Sequence, residues 1–126
     1  MAKILVIDDS QDLLELFSIL LKWKGFHTET VSSKDRAEII LSEFSPDLII
    51  LDVKLNGEDG RELCKDLKEK YNKAIPIILT SADPNLLKEY GGCNADAVIE
   101  KPFDVKKVFE EIKTLLNKYQ STQSNP

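Results

Sequence analysis

The sequence predicts a doubly wound α/β fold on three observations. Apolar runs rich in β-branched residues recur five times, a stretch at helical spacing follows each, and the runs are nearly continuous rather than alternating. Strands of that kind, separated by helices, imply a parallel sheet covered on both faces by right-handed crossovers. The expected architecture is a five-stranded parallel sheet, order 2-1-3-4-5, with five helices.

Each element has its own signal. Ile4 to Ile7 is the first apolar run and stops at Asp8, after which Leu13, Leu16, Phe17 and Leu20 recur at helical spacing up to Gly25. Phe26 to Val31 reads as the second strand. Ser32 with Asp35 three residues on resembles a capping box, and opens a helix with Ala37, Ile40, Leu41 and Phe44 on one face before Pro46. Leu48 to Leu51 is wholly apolar and ends at Asp52; a glycine-bearing loop from Asn56 to Gly60 leads to a helix with Leu63, Leu67 and Tyr71 on one side. Ile75 to Leu79 is the fourth strand, ending at Thr80. Asp83 as a cap and Pro84 at the first helical position begin a short helix through about Tyr90, which Gly91 and Gly92 stop. Its apolar anchors are few, namely Leu86, Leu87 and Tyr90. Ala95 to Ile99 is the fifth strand, and Val105, Val108, Phe109, Ile112, Leu115, Leu116 and Tyr119 form the strongest helical stripe. Residues 1–120 are expected to form one domain, with 121–126 a polar tail that frays.

Composition narrows the function classes. A chain of 126 residues, 42% hydrophobic and 31% charged, buries about two thirds of its unfolded surface without disulfides or metal staples. Its apolar runs are too short for a membrane span, and the start Met1-Ala2-Lys3-Ile4-Leu5 lacks the pattern of a signal peptide, so a cytoplasmic protein without membrane insertion is expected. A net charge of -5, with 17 bases scattered singly, argues against direct nucleic-acid binding. Cys64 and Cys93 have no partner at metal-ligand spacing and read as buried or idle thiols. Trp23, ending the first helix, serves either packing or contact with a partner.

The chemistry gathers at the carboxyl ends of the strands: Asp8 and Asp9 after the first, Asp52 after the third, Thr80 after the fourth and Lys101 after the fifth. In an open parallel sheet these ends share one edge, and ligands bind there where the strand order reverses. Three clustered carboxylates repel one another, and a hard divalent cation relieves the repulsion; oxygen donors suit Mg²⁺, with Mn²⁺ as a substitute. Lys101 and the Thr80 hydroxyl supply a positive charge and a donor for phosphoryl oxygens. A carboxylate in such a site is a nucleophile for phosphoryl transfer, and Asp52, on the central strand, is the candidate.

These residues in combination resemble the receiver domains of two-component response regulators, over essentially the whole chain. Asp8-Asp9 looks like that family's acidic pair, Asp52 in Ile50-Leu51-Asp52-Val53 its phosphoacceptor, Thr80-Ser81 its hydroxyl and following small residue, and Lys101-Pro102-Phe103 its lysine motif. Gly60 matches the glycine expected eight residues after the acceptor. The resemblance implies a flavodoxin-like sheet, direct Mg²⁺ binding by Asp9, Asp52 and the backbone carbonyl of Lys54, and a contribution from Asp8 largely through water. It implies a sensor histidine kinase or histidine phosphotransfer protein as donor and a further protein downstream. His27, the only histidine, lies in the second strand away from the site, so the phosphohistidine belongs to another protein. Three positions depart from the family pattern: Asn56 stands where proline is usual, Glu58 where an apolar residue is usual, and Val98 where many members carry Tyr or Phe.

With no output domain in the sequence, the expectation is a single-domain phosphoacceptor switch rather than a turnover enzyme. A Mg²⁺-dependent phosphatase with an aspartyl nucleophile is the main alternative, but the haloacid dehalogenase pattern needs an acid two residues after its nucleophile in the first loop, and Asp9 is followed by Ser10 and Gln11. A flavin-binding relative would need a hydroxyl- and glycine-rich first loop, not a doubly acidic one. An interaction module that works without phosphorylation would tolerate loss of one of the five residues, and none is lost.

Overall fold

In a computed structural model that describes residues 2–88 and 90–123, the chain begins β1 (Lys3–Ile7), α1 (Gln11–Trp23), β2 (His27–Val31), α2 (Lys34–Leu41) and β3 (Leu48–Asp52). Two short strands follow, β4 (Lys54–Leu55) and β5 (Glu58–Asp59), then α3 (Gly60–Lys70), β6 (Ile77–Ser81), α4 (Pro84–Leu87), a 3₁₀ turn (Tyr90–Cys93), β7 (Ala97–Glu100) and α5 (Val105–Gln123). The long strands form one parallel sheet in the order β2-β1-β3-β6-β7, the expected 2-1-3-4-5 once the short pair is set aside.

Successive strand side chains point to opposite faces, and here both faces are covered, so each strand can be apolar throughout. Ile4, Val6, Leu48, Ile50 and Ile78 pack under Leu14, Phe17 and Leu21 of α1 and Val108, Ile112, Leu115 and Leu116 of α5. On the other face Leu5, Ile7, Ile49, Leu51, Ile77 and Leu79 pack under Ala37 and Leu41 of α2 and Leu63, Cys64 and Leu67 of α3.

Several local expectations shift. In α1 the buried stripe is Leu14, Phe17 and Leu21, leaving Leu16 43% exposed, Ile19 65% and Trp23 77%. Apolar residues at most positions of α1 offer two helical stripes, and packing on the sheet selects one. Trp23 is therefore not core. The cap of α2 is Ser33, whose hydroxyl accepts the Arg36 N–H at 3.2 Å, and the helix ends at Leu41, so Phe44 is buried from the following turn. The fourth and fifth strands start two residues later than periodicity places them. Thr80 and Ser81 lie inside β6, because the Thr80 carbonyl accepts the Val53 N–H and the Ser81 carbonyl accepts the Lys101 N–H, each at 2.9 Å. Helix α4 is a single turn. Of its expected anchors, Leu86 packs against the core, and the side chains of Leu87 and Tyr90 lie outside the described residues. Helix α5 continues through Gln123 into the expected tail, whose last three residues also lie outside the described residues.

Two features carry no advance notice from periodicity. β4 and β5 form an antiparallel hairpin joined by Asn56 (φ 45°) and Gly57 (φ 85°), a two-residue turn with both central residues left-handed, which Asn-Gly favours. At the opposite edge of the sheet from the acids, Lys68 is 3% exposed and donates to the Ile75 carbonyl at 2.9 Å, Asp96 Oδ2 at 2.5 Å and the Tyr119 hydroxyl at 3.1 Å. Asp96 also accepts the Ile77 N–H at 2.8 Å and the Tyr119 O–H, so α3, β6 and α5 are tied by one satisfied polar cluster. Burial, and then Asp96, push the Tyr119 hydroxyl pKa upward.

Gly60 closes the hairpin onto the sheet: its N–H donates to the Val53 carbonyl at 2.6 Å, and a Cβ there would collide with the Asp52 backbone carbonyl. Gly60→Ala is expected to cost about 2 kcal/mol or more, since backbone rather than a flexible side chain must move. Urea unfolding of the two proteins measures this, and an unchanged midpoint would contradict the close approach.

Candidate functional site

The register of the parallel strands assembles the site. Asp8 follows the last residue of β1, Asp52 is the last residue of β3, Thr80 is its register partner on β6, and Lys101 follows β7. One oxygen from each of Asp8, Asp9 and Asp52 lies within 4.8 Å of the others. Asp8 and Asp52 are buried, while Asp9 opens to solvent. Lys101 Nζ donates to Asp8 Oδ2 at 2.8 Å and stands 3.3 Å from Asp52 Oδ2. Each carboxylate also accepts a backbone N–H: Asp8 Oδ1 from Ser10 at 2.9 Å, Asp52 Oδ1 from Lys54 at 3.3 Å, and Asp9 Oδ2 from Asn56 at 3.1 Å. Thr80 Oγ1 is the one buried side-chain oxygen or nitrogen among the described residues with no hydrogen-bond partner.

Three clustered acids and one ammonium, which contacts Asp8 and Asp52, leave the site short of positive charge. Burial, and then the neighbouring Asp8, raise the Asp52 pKa above its ordinary 3.8, and Lys101 and the Lys54 N–H only partly offset this. For Lys101, burial disfavours the charged form, but the hydrogen bond and charge of Asp8, and then Asp52, outweigh it and raise its pKa. An all-oxygen donor set with excess negative charge and one open carboxylate fits a hard divalent cation such as Mg²⁺. A desolvated, unpartnered hydroxyl and a lysine flanking Asp52 fit an incoming oxyanion.

All five residues singled out from the sequence, Asp8, Asp9, Asp52, Thr80 and Lys101, thus lie at one edge, and Lys54 lies beside Asp52. Two contributors were not anticipated. Asn56 reaches Asp9, and the Asn-Gly pair was the available signal for the turn that brings it there. Arg61 binds its own helix cap, Asp59, through Nε at 3.0 Å and Nη2 at 2.8 Å, and that bond lowers the Asp59 pKa; its Nη1 reaches the Leu86 carbonyl of α4 at 3.5 Å. His27 is exposed and pairs with Lys3 at the start of β1, the far end of the sheet from the acids. Cys64 and Cys93 are buried and not joined in a disulfide; burial pushes the Cys64 thiol pKa up, which disfavours the nucleophilic thiolate. No helix among the described residues is long and apolar enough to cross a membrane.

The family described as the response regulator receiver domain matches residues 4–113. Among solved structures, NtrX from Brucella abortus in complex with ADP is similar with a TM-score of 0.90 at 26% identity; the match covers 98% of this chain and 29% of that one. This chain therefore spans less than a third of NtrX. A CheY-like response regulator receiver domain protein from Methanospirillum hungatei gives a TM-score of 0.88 at 22% identity, covering 97% of this chain and 98% of that one. A two-component response regulator from Clostridium difficile gives 0.85 at 23% identity, covering 93% and 97%. The last two are likenesses of fold.

The electrostatics set a pH dependence. A carboxyl whose pKa is raised by folding binds its proton better in the folded state, so folded stability falls as pH climbs from 3.8 through the raised value, and the loss is complete above it. Asp52→Asn, which removes the charge at nearly constant shape, should stabilise the metal-free protein at pH 7 by about 1 kcal/mol, a rise of roughly 4 °C in melting temperature. The gain should vanish at about pH 3, where the wild-type carboxyl is protonated in both states. Thermal melts at both pH values check this; a lower midpoint for the variant at pH 7 would contradict it.

Proposed function

The chain belongs to the response regulator receiver domain family, and on that premise we propose that it accepts a phosphoryl group on Asp52 from a histidine kinase or phosphotransfer protein and thereby changes which protein it binds. The observation that carries this reading is the buried, unpartnered Thr80 hydroxyl in register with Asp52, on a site where Lys101 already bridges Asp8 and Asp52. A buried hydroxyl without a partner costs stability. A phosphoryl oxygen on Asp52 supplies the missing acceptor.

In the transfer, an Asp52 carboxylate oxygen attacks phosphorus as the bond from phosphorus to the donor's imidazole nitrogen breaks; the electron pair leaves with that nitrogen, which takes a proton. Thr80 Oγ–H and the Lys101 ammonium bind the phosphoryl oxygens, and Asp52 is regenerated when water attacks phosphorus and releases phosphate. Asp9, Asp52 and the Lys54 carbonyl would hold Mg²⁺, with Asp8 acting largely through water; the cation, for which Mn²⁺ substitutes, supplies positive charge to the crowded oxygens. The protein is a self-processing phosphoacceptor in the cytoplasm, not a turnover enzyme. Its net charge of -5 matches protein partners better than nucleic acid.

Readout follows from what the phosphoryl group pulls. Lys101 and Thr80 move toward new anionic oxygens, so the β6 end, α4 and β7 are drawn with them. Val98, paired with Leu79 and packed against the α3-side core, has no ring to swing, which leaves this backbone segment as the mobile part.

Acetyl phosphate with Mg²⁺ should modify Asp52 alone, read by peptide mass spectrometry, and Asp52→Asn should abolish the product. Thr80→Val should slow the transfer by roughly tenfold or more. Phosphate on another residue would overturn the acceptor assignment, and sustained turnover of phosphomonoesters would favour a phosphatase. With beryllofluoride as phosphoryl mimic, hydrogen exchange should change within residues 80–101; changes confined to α1 and α2 would contradict the readout.

A further inference from the structure

The three acids are not held alike. Asp8 and Asp52 each accept an N–H from the residue two positions on, at 2.9 Å and 3.3 Å, and each also faces Lys101. Asp9 stands outside the Lys101 contacts, and its hydrogen bond comes from Asn56, 47 positions away. A local bond of the first kind forms wherever the strand end forms. The bond to Asp9 forms only when the hairpin is folded and seated.

The hairpin is built to seat it. Asn56 at φ 45° and Gly57 at φ 85° turn the chain in two residues, and Asn is among the few L-residues that tolerate the left-handed region. The base of the hairpin is pinned by the Gly60 N–H on the Val53 carbonyl at 2.6 Å, and Gly60 lies directly against the Asp52 backbone. The Asn56 N–H is thus fixed relative to Asp52 and delivered to Asp9 Oδ2 at 3.1 Å. Proline, the usual residue of the family pattern here, has no N–H and a φ near about -65°, so it can supply neither the bond nor the turn.

We propose that the Asn56 backbone N–H is the positioning group for Asp9, fixing one carboxylate oxygen so that the other is aimed at the cation site, and that the hairpin and the cation site therefore act as one unit. This rests on the cation-binding reading of the acid cluster. Outer hydrogen bonds of this kind orient ligands and raise metal affinity. The coupling is reciprocal, so a cation on Asp9 stabilises the hairpin in turn.

The test is calorimetric titration of Mg²⁺ into the full chain, as wild type, Asn56→Gly and Asn56→Pro, with far-UV circular dichroism on each. Asn56→Gly keeps the N–H and the left-handed turn and should bind within about twofold of wild type, whereas Asn56→Pro should bind about tenfold more weakly. A proline variant with wild-type affinity overturns the inference, as does a glycine variant weakened as much as the proline one. A flat titration of the wild type instead overturns the cation reading itself. Should Asn56→Pro fail to fold, the Asn56 amide resonance decides. It should lose its hydrogen-bonded shift in Asp9→Ala and move when Mg²⁺ is added to wild type; an amide indifferent to both overturns the positioning role.

Discussion

Three carboxylates held within 4.8 Å of one another, two of them buried, oppose folding unless something holds them there. What holds them is the sheet. Asp8 and Asp52 end adjacent parallel strands whose apolar residues are almost wholly buried, and the register from Ile4↔Leu48 to Ile7↔Leu51 leaves the acids no freedom to separate. One lysine, carried to the same edge by β7, faces two of the three. The site is therefore short of positive charge by construction, and on the proposed reading its affinity for a divalent cation follows from that shortage, while Lys101 and the unpartnered Thr80 hydroxyl receive the phosphoryl oxygens. Energy spent in crowding the acids returns as binding.

The remainder of the molecule divides between supporting this edge and leaving it movable. At the opposite edge the satisfied Lys68, Asp96 and Tyr119 cluster ties α3, β6 and α5 together. At the active edge the anchoring is lighter: a four-residue α4 and a 3₁₀ turn follow β6, and Arg61 links the cap of α3 to the Leu86 carbonyl. On the proposed reading, changes at Thr80 and Lys101 propagate along this lightly anchored side of the sheet, while the Lys68, Asp96 and Tyr119 cluster holds the far side.

The strand order, and the gathering of Asp8, Asp9, Asp52, Thr80 and Lys101 at one edge, were legible because continuous apolar runs fix the strands and each of these residues lies at or just beyond the carboxyl end of one. The face of α1 was not, because Leu13, Leu14, Leu16, Phe17, Leu20 and Leu21 satisfy two helical stripes and only packing on the sheet decides between them. The boundaries of β6 and β7 shifted because their ends are set by bonds to residues distant in sequence, such as the Lys101 N–H on the Ser81 carbonyl. The hairpin carried a local signal, Asn-Gly, but its strands are two residues long, too short for periodicity to register. The hold of Asn56 on Asp9 had no sequence signature at all, since a backbone N–H belongs to every residue but proline.

The crowding of Asp52 and its relief by a cation are both observable by carboxyl-carbon NMR. In the metal-free protein the Asp52 carboxyl should titrate above its ordinary 3.8, as burial and Asp8 require. Saturating Mg²⁺ should move that titration downward, since a bound cation favours the charged form. An Asp52 carboxyl that titrates at its ordinary value and ignores Mg²⁺ would contradict the account at its base.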